Sequence, residues 1–254
     1  MNIESIIVST LGFTSDLIIS KRIKQFIREN IIIPPIKFLI IYPKQENEPE
    51  ELKNAKFELI KEFDYDNEKG IFNSEVIFEE IIISDFDIAV LSILEKIYYH
   101  TNIVMRTIRK ETYDIPLKLY FNLSGGMNNL ILASYTASMY LPTTMVFTHI
   151  ENTNLITKFI PNNSMIRLKK KHKQILIIIM REIELKLDEV VRYKLDQGDL
   201  EDRSTIFRHL QMLEKLNLIK GDYKGSKRKV TYKITSQGKY LVKSMELFPI
   251  FYED

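Results

Sequence analysis

Short apolar runs alternate with amphipathic helical segments along the first 160 residues, and this alternation restricts the chain to few folds. Strand-like runs occupy residues 3–8, 36–42, 76–83, 116–121, 143–149 and 155–160. Helical patterns lie between the first five of them, over residues 16–28, 49–61, 87–109 and 130–140. Strands that alternate with helices form βαβ units. We therefore predict a Rossmann-like, three-layer α/β domain over residues 1–160, with a mostly parallel sheet that ends in a hairpin around 151–154.

A different pattern follows a short linker at residues 161–164. Helical stretches cover 168–187, 187–195 and 204–216, with Ser204 as the expected N-cap of the third. The buried stripe of that third helix is predicted to consist of Ile206, Leu210, Leu213 and Leu216. Two strands, 218–219 and 229–234, flank a basic, glycine-rich tip, and a helix over 236–247 closes the chain. This order predicts a winged helix-turn-helix domain over residues 165–254.

Charge is unevenly divided between these two parts. Residues 1–160 contain 16 Lys and Arg against 21 Asp and Glu, whereas residues 161–254 contain 20 against 13. Only the second part is therefore expected to contact a polyanion such as double-stranded DNA.

Composition excludes several other classes of site and of location. The absence of cysteine excludes disulfides and thiolate metal sites, and the four histidines lack metal-ligand spacing. No apolar stretch approaches the roughly 18 residues of a membrane helix, and no secretory signal is recognisable at the N-terminus. We expect a cytoplasmic protein with no metal, no cofactor and no membrane partner.

The segment Asn122-Leu-Ser-Gly-Gly-Met-Asn-Asn129 stands between a predicted strand and a predicted helix. Glycines let the backbone approach a ligand, and the unpaired N–H groups of a helix N-terminus bind anions. Parallel sheets bind ligands at the carboxyl ends of their strands, where this segment lies. It is a candidate phosphate-binding loop. The alternative is an ordinary tight turn with Ser124 as N-cap, and the local residues leave both interpretations open.

A second loop, Ser9-Thr-Leu-Gly-Phe13, follows the first predicted strand. If the two strands are parallel neighbours, both loops lie in one crevice. The candidate ligand-binding residues are Ser9, Thr10, Leu11, Gly12, Phe13, Asn122, Ser124, Gly125, Gly126, Met127 and Asn128.

The third helix of the second domain resembles the recognition helices of winged-helix transcription regulators. Its polar side chains are expected to remain available to DNA, where an arginine can pair with guanine in the major groove. Basic residues at the hairpin tip are placed to contact phosphates. The candidate DNA-binding residues are Arg203, Ser204, Thr205, Arg208, His209, Lys227, Arg228 and Lys229. One alternative is a winged helix that contacts only protein; another is a HEPN-type ribonuclease, from the R-x5-H spacing of Arg203 and His209.

Taken together, the two loops and the basic tail resemble the CARF-domain transcription regulators of CRISPR–Cas systems, of the archaeal type, over nearly the whole chain. The segment Ser9-Thr-Leu-Gly-Phe13 matches the family's loop after the first strand, and Ser124-Gly-Gly-Met127 matches its (T/S)-G-G-x loop. The resemblance implies a homodimer that binds a cyclic oligoadenylate, often cyclic tetra-adenylate, across its two-fold axis and regulates CRISPR–Cas genes. Phe13 and Met127 are then candidates to pack against adenine.

The chain departs from that family directly after the Gly-Gly-x motif. Many members have Lys or Arg directly after Gly-Gly-x, where this chain has Asn128 and Asn129. Cleavage of the ring needs stabilisation of a developing phosphorane charge, so we assign no catalytic residue. Two alternatives remain: a ring nuclease, with Arg106, Arg109 or Lys110 as the cation, and a CARF sensor whose basic tail binds RNA or protein.

Overall fold

The computed structural model describes residues 4–12, 21–31, 35–70, 74–109, 117–141, 143–149, 156–159, 168–182, 185–196, 202–223 and 230–247. The chain divides into two compact units, Met1–Asn163 and Ser164–Asp254. Within the described ranges, no helix is long and apolar enough to cross a membrane.

The first unit contains a six-stranded sheet with helices between its parallel strands. Its elements are β1 (Glu4–Thr10), α1 (Lys21–Asn30), β2 (Lys37–Pro43), α2 (Glu50–Glu68), β3 (Glu75–Ile81), α3 (Phe86–Arg109), β4 (Leu117–Asn122), α4 (Asn128–Met139), β5 (Thr143–His149) and β6 (Ile156–Phe159). The strand order is β3-β2-β1-β4-β5-β6. The first five of these are parallel and β6 is antiparallel to β5. This confirms the predicted mixed α/β class with a mostly parallel sheet.

Both faces of this sheet are covered by helices. On one face, Phe26 of α1 packs against Phe147 of β5 with ring centroids 4.9 Å apart, and Phe63 of α2 packs against Phe38 of β2 at 4.5 Å. On the other face, α3 and α4 pack against each other, α3 contacts β3, and α4 contacts β1, β4 and β5. Successive strand residues point to opposite faces, so nearly every residue of β2 is buried.

The boundaries differ from the sequence prediction in identifiable ways. Strand β1 continues through Ser9 and Thr10, which were expected in a turn, because Ser9 is paired on both sides, with Ile40 and with Asn122. Helix α2 runs to Glu68 rather than residue 61, since Phe63 and Asp66 extend its buried side. Residues 16–20 of the first predicted helix and the hairpin turn 151–154 lie outside the described residues.

The second unit contains four helices and a small antiparallel sheet among its described residues. The elements are α5 (Lys170–Glu182), β7 (Leu185–Lys186), α6 (Leu187–Asp196), α7 (Arg203–Lys215), β8 (Ile219–Asp222), β9 (Thr231–Ile234) and α8 (Ser236–Leu247). The sheet order is β7-β9-β8. Strand β7 was not predicted: the helix expected over 168–187 ends at Glu182, and Leu185 pairs with Tyr232 of β9 instead.

The ends of α7 show how the chain turns into the hairpin. The helix begins after Asp202, whose carboxylate accepts the N–H of Thr205 at 2.6 Å, so Asp202 and not Ser204 is the N-cap. Beyond its C-cap, Leu216, the next residue Asn217 is in the left-handed region at φ 56°. The N–H groups of Asn217 and Leu218 return to the carbonyls of Glu214 and Leu213, at 2.8 and 3.0 Å, which is the Schellman arrangement. Ile206, Leu210 and Leu213 are buried as predicted, whereas Leu216 is the half-buried C-cap.

Candidate functional site

The carboxyl ends of β1 and β4 lie side by side, because Ser9 is the register partner of Asn122 in this parallel pair. The loops that follow the two strands therefore leave the sheet at the same edge. Both loops were expected to lie in one crevice if their strands are parallel neighbours, and the strand order meets that condition.

The two loops contact each other directly through glycine backbone. The hydroxyl of Thr10 donates a hydrogen bond to the carbonyl of Gly125. A Cβ atom at Gly12 would stand 3.0 Å from the nitrogen of Gly126, closer than side chains normally approach backbone. Gly126 itself has φ +115°, and a Cβ there would lie 3.1 Å from Cβ of Thr10. A side chain at Gly12 would therefore push the facing backbone away, and one at Gly126 would also strain its own backbone.

Polar side chains hold the second loop in shape. The side-chain oxygen of Asn122 accepts the backbone N–H of Ser124 at 3.1 Å and also its hydroxyl hydrogen. The Ser124 oxygen in turn accepts the N–H of His149, the last residue of β5, at 2.8 Å. The hydroxyl of Ser124 is thus hydrogen-bonded within the protein, as a donor to Asn122 and an acceptor from His149. It does not cap α4, whose N-cap is Met127 without a side-chain hydrogen bond, so the interpretation of Ser124 as N-cap is wrong.

The N-terminus of α4 retains its capacity to bind an anion. Helix α4 begins at Asn128, and the first carbonyl to accept an intrahelical N–H is that of Met127, which pairs with Ile131 at 3.0 Å. The first-turn N–H groups, from Asn128 to Leu130, have no intrahelical acceptor. The side chains of Met127, Asn128 and Asn129 are exposed around them.

Two further loop residues have environments that bear on the site. The hydroxyl oxygen of Ser9 is buried and has no hydrogen-bond partner among the described residues. Leu11 is fully buried in the core and donates its N–H to the carbonyl of Ile41 at 2.8 Å, so its side chain serves packing. Phe13 lies outside the described residues. Neither Ser9–Gly12 nor Asn122–Asn129 contains Lys or Arg, so these segments offer a ligand only backbone groups and uncharged side chains.

A second candidate surface lies on α7 in the other unit. Arg203, Ser204 and Arg208 are exposed and Thr205 is half-buried. The Arg203 guanidinium is 2.9 Å from the Asp188 carboxylate, but both side chains are more than half exposed, which makes the ion pair weak. The hydrogen bond from the Thr205 backbone lowers the pKa of Asp202 below its ordinary value, which keeps this N-cap charged.

His209 differs from the expectation that its side chain stays available. Its Nδ1 lies 2.9 Å from Nε2 of His172 on α5, and the two rings meet edge-on with centroids 4.7 Å apart. His172 is buried. A hydrogen bond between two imidazoles needs one N–H donor and one acceptor nitrogen. His209 therefore joins α7 to α5, and this contact engages one of the two groups on which the ribonuclease alternative depends.

The hairpin is fastened to α7 at its base. Glu214 accepts the N–H of Gly221 at 2.9 Å and the hydroxyl of Tyr223. That hydroxyl contact, with some burial, raises the pKa of Tyr223 to about 12. The expected phosphate contacts Lys227, Arg228 and Lys229 belong to the tip, outside the described residues.

Comparisons with known proteins leave the family of the chain open. No family model matches it, and no curated protein matches it. Among solved structures, Enterococcus italicus Csm6 bound to cyclic hexa-2'-fluoro-hexa-dAMP is similar with 12% identity and a TM-score of 0.42, over 85% of this chain and 56% of the Csm6 chain. A structure of Drosophila ORC bound to AT-rich DNA and Cdc6 is similar with 11% identity and a TM-score of 0.28, over 95% of this chain and 85% of that chain. Both TM-scores are too low to establish a shared fold.

Proposed function

We propose that this protein is a homodimeric, ligand-responsive DNA-binding regulator of CRISPR–Cas genes. In this proposal residues 1–160 form a CARF-like sensor of cyclic oligoadenylate and residues 165–254 form a winged helix-turn-helix. The observation that carries the proposal is the close approach of Gly12 and Gly126, where the two loops that resemble the family's motifs meet.

The crevice has the chemistry that a ring of phosphates and adenines requires. First-turn N–H groups of α4 provide donors for a phosphate, and the positive end of the helix dipole favours the same anion. The loop backbone is already held by Thr10 and by the Asn122–Ser124 hydrogen bonds, so it loses little conformational entropy when a ligand binds. Met127, 38% exposed at the start of α4, is available to pack against a base.

A second copy of the chain is the partner that best fits the outer surface of α3 and α4. Ile88, Tyr99 and Ile103 lie on one exposed side of α3, and Leu132 and Met139, one heptad apart, lie on one exposed side of α4. Tyr99 and Leu132 are 59% and 54% exposed, and the two helices pack against each other. Adjacent exposed apolar side chains of this size are typical of an association surface.

Support for DNA binding comes from α7 and from the charge of the second unit. The helix buries Ile206, Leu210 and Leu213 and leaves Arg203 and Arg208 exposed. An exposed arginine on a helix that precedes a basic hairpin has the means to read a guanine edge in the major groove. The excess of 20 basic over 13 acidic residues in 161–254 adds attraction to phosphate.

Binding without ring cleavage follows from the uncharged loops. A ring nuclease must stabilise charge that develops on the phosphate, and residues 9–12 and 122–129 contain no cationic side chain. Ser124 is also unsuited to activate an attacking group, since its hydroxyl hydrogen is donated to Asn122.

The test is a DNA-binding titration with and without ligand. Selected double-stranded DNA is titrated with the full-length protein at several salt concentrations, in the presence and absence of radiolabelled cyclic tetra-adenylate. We expect sequence-selective binding whose affinity changes when the ring is added, and recovery of the ring intact. Multiple turnover of the ring would favour the nuclease, and binding to RNA in preference to DNA would favour the alternative role of the basic tail.

A further inference from the structure

His149 lies at the candidate crevice although no sequence pattern indicated it. It is the last residue of β5, the strand next to β4. Its backbone N–H donates to the hydroxyl oxygen of Ser124 at 2.8 Å. The backbone of His149 is therefore attached to the loop that precedes α4.

The imidazole of His149 has no hydrogen-bond partner among the described residues, and both of its ring nitrogens are buried. The hydroxyl oxygen of Ser9 is likewise buried and has no hydrogen-bond partner among those residues. Buried polar atoms are nearly always hydrogen-bonded, because leaving them without a partner costs free energy. Two such groups at one edge of a sheet indicate that a binding partner completes them.

Strand alternation places these two groups on the same face of the sheet. Ser9 is two residues beyond Ile7, and His149 is two residues beyond Phe147. Ile7 and Phe147 belong to one core cluster on the α1 side of the sheet. Because side chains two residues apart in a strand point to the same face, Ser9 and His149 lie on that side. Strand β4 separates them, and the register sets Ser9 level with Asn122 and Phe147. His149 therefore lies two strand spacings across from Ser9 and two residues further along, roughly 12 Å away between backbones.

We infer that His149 and Ser9 hydrogen-bond the adenine base of the bound ring; this inference rests on the proposed function. An uncharged imidazole has one donor and one acceptor nitrogen, and a hydroxyl has both functions. An adenine edge also combines a donor amino group with acceptor nitrogens, whereas a phosphate only accepts. The pair therefore matches a base better than a phosphate. Because its polar atoms are covered in the free protein, ligand entry exposes them, and the ligand gains the hydrogen bonds that the free state lacks.

The test of this inference measures ring affinity and thermal stability on the same variants. The full-length wild type, His149→Phe and Ser9→Ala are titrated calorimetrically with cyclic tetra-adenylate and cyclic hexa-adenylate. Each substitution is expected to weaken binding about tenfold, the equivalent of one lost hydrogen bond. Neither is expected to lower the melting temperature of the free protein, since each removes a buried polar group without a partner. His100→Gln, which changes a buried histidine paired with Glu79 of β3, serves as the control with unchanged affinity.

Cyclic tetra-inosinate identifies which part of the ring is contacted. We expect the wild type to prefer the adenylate ring and His149→Phe to lose that preference. Equal weakening for both rings would overturn the assignment to the base.

If the wild type binds a ring and both variants bind it equally well, the inference is wrong but the proposed sensor function still holds. If the wild type binds no ring at all, the proposed function fails and the inference fails with it. Ser9→Ala decides the matter if His149→Phe does not fold.

Discussion

Gly12 and Gly126 approach so closely that a Cβ atom on the first would lie 3.0 Å from the backbone nitrogen of the second. The contact joins the loops after β1 and β4, which are separated by more than a hundred residues in sequence. A side chain at either position would therefore require the facing loop to shift.

Gly126→Ala is expected to damage the crevice. Its φ of +115° disfavours any side chain, and the added Cβ would meet Thr10. We expect a loss of about 1–3 kcal/mol in the free energy of unfolding, with ring affinity reduced at least about tenfold. Gly70→Ala is the matched control, since Gly70 has φ +65° but open space around it. It should show a smaller loss of stability and normal ring binding. Equal ring affinity in the two variants would contradict the assigned site.

Leu132→Asp is expected to weaken the homodimer. The substitution places a charge on the exposed side of α4, where a second copy is proposed to pack, and it leaves the buried residues of that helix untouched. Light scattering with size exclusion should show a dimer for the wild type and a monomer for Leu132→Asp. Phe57→Asp, at a more exposed apolar residue on α2, is the control and should remain dimeric. A dimeric Leu132→Asp would move the interface elsewhere.

Arg208→Ala and Lys227→Ala are expected to affect DNA binding differently. If Arg208 reads a guanine, its loss should cost roughly 1–3 kcal/mol at one or two base positions. Loss of Lys227, a phosphate contact, should weaken all sequences alike and reduce the salt slope by about one. Salt-titrated binding curves on specific and scrambled DNA separate the two effects. A symmetric dimer should prefer a palindrome with half-sites about one helical turn apart. No change in either variant at low salt would remove DNA as the partner of this unit.

Asp202→Asn is expected to reduce the acid sensitivity of the second unit. The hydrogen bond from Thr205 lowers the pKa of Asp202 in the folded state. The stabilisation is therefore fully present above the unfolded pKa and is lost as the pH falls through the lower folded value. Asparagine also caps a helix but does not titrate. Between about pH 5 and pH 3, the wild type should lose more melting temperature than Asp202→Asn. Parallel losses would show that this cap does not contribute to the pH dependence.

Element types were predictable because the local patterns are strong. Helix α8 and strand β5 have the predicted limits, since each is bounded by turn residues and has a consistent periodicity. The N-cap of α7 was misassigned to Ser204 because Asp202, two residues earlier, offers an equally good acceptor and reaches the Thr205 N–H. Strand β7 was missed because Leu185 and Lys186 are extended only through their pairing with β9, a contact distant in sequence.

The candidate ligand site was predictable in part. Its loops follow strands and contain glycine, so their sequence indicated a backbone binding site. The hydrogen bonds of the Thr10 and Ser124 hydroxyls to Gly125 and His149 could not be predicted. They depend on the register of β1, β4 and β5, which joins residues distant in sequence. His149 carries no local signal, since it enters the site only through strand order. The contact between His209 and His172 was hidden for the same reason, as the residues belong to different helices.

Binding of a cyclic oligoadenylate to the wild-type protein is the sharpest test of whether the first unit is a sensor of such rings. Thermal unfolding is measured with a panel of rings of different size, with linear oligoadenylates of equal length as controls. A ring present at 100 times its dissociation constant should stabilise the protein by about 2.7 kcal/mol, seen as a clear rise in melting temperature. We expect this rise with at least one ring and no rise with the linear forms. No rise with any ring, at concentrations well above micromolar, would contradict the assignment of the first unit as a cyclic oligoadenylate sensor.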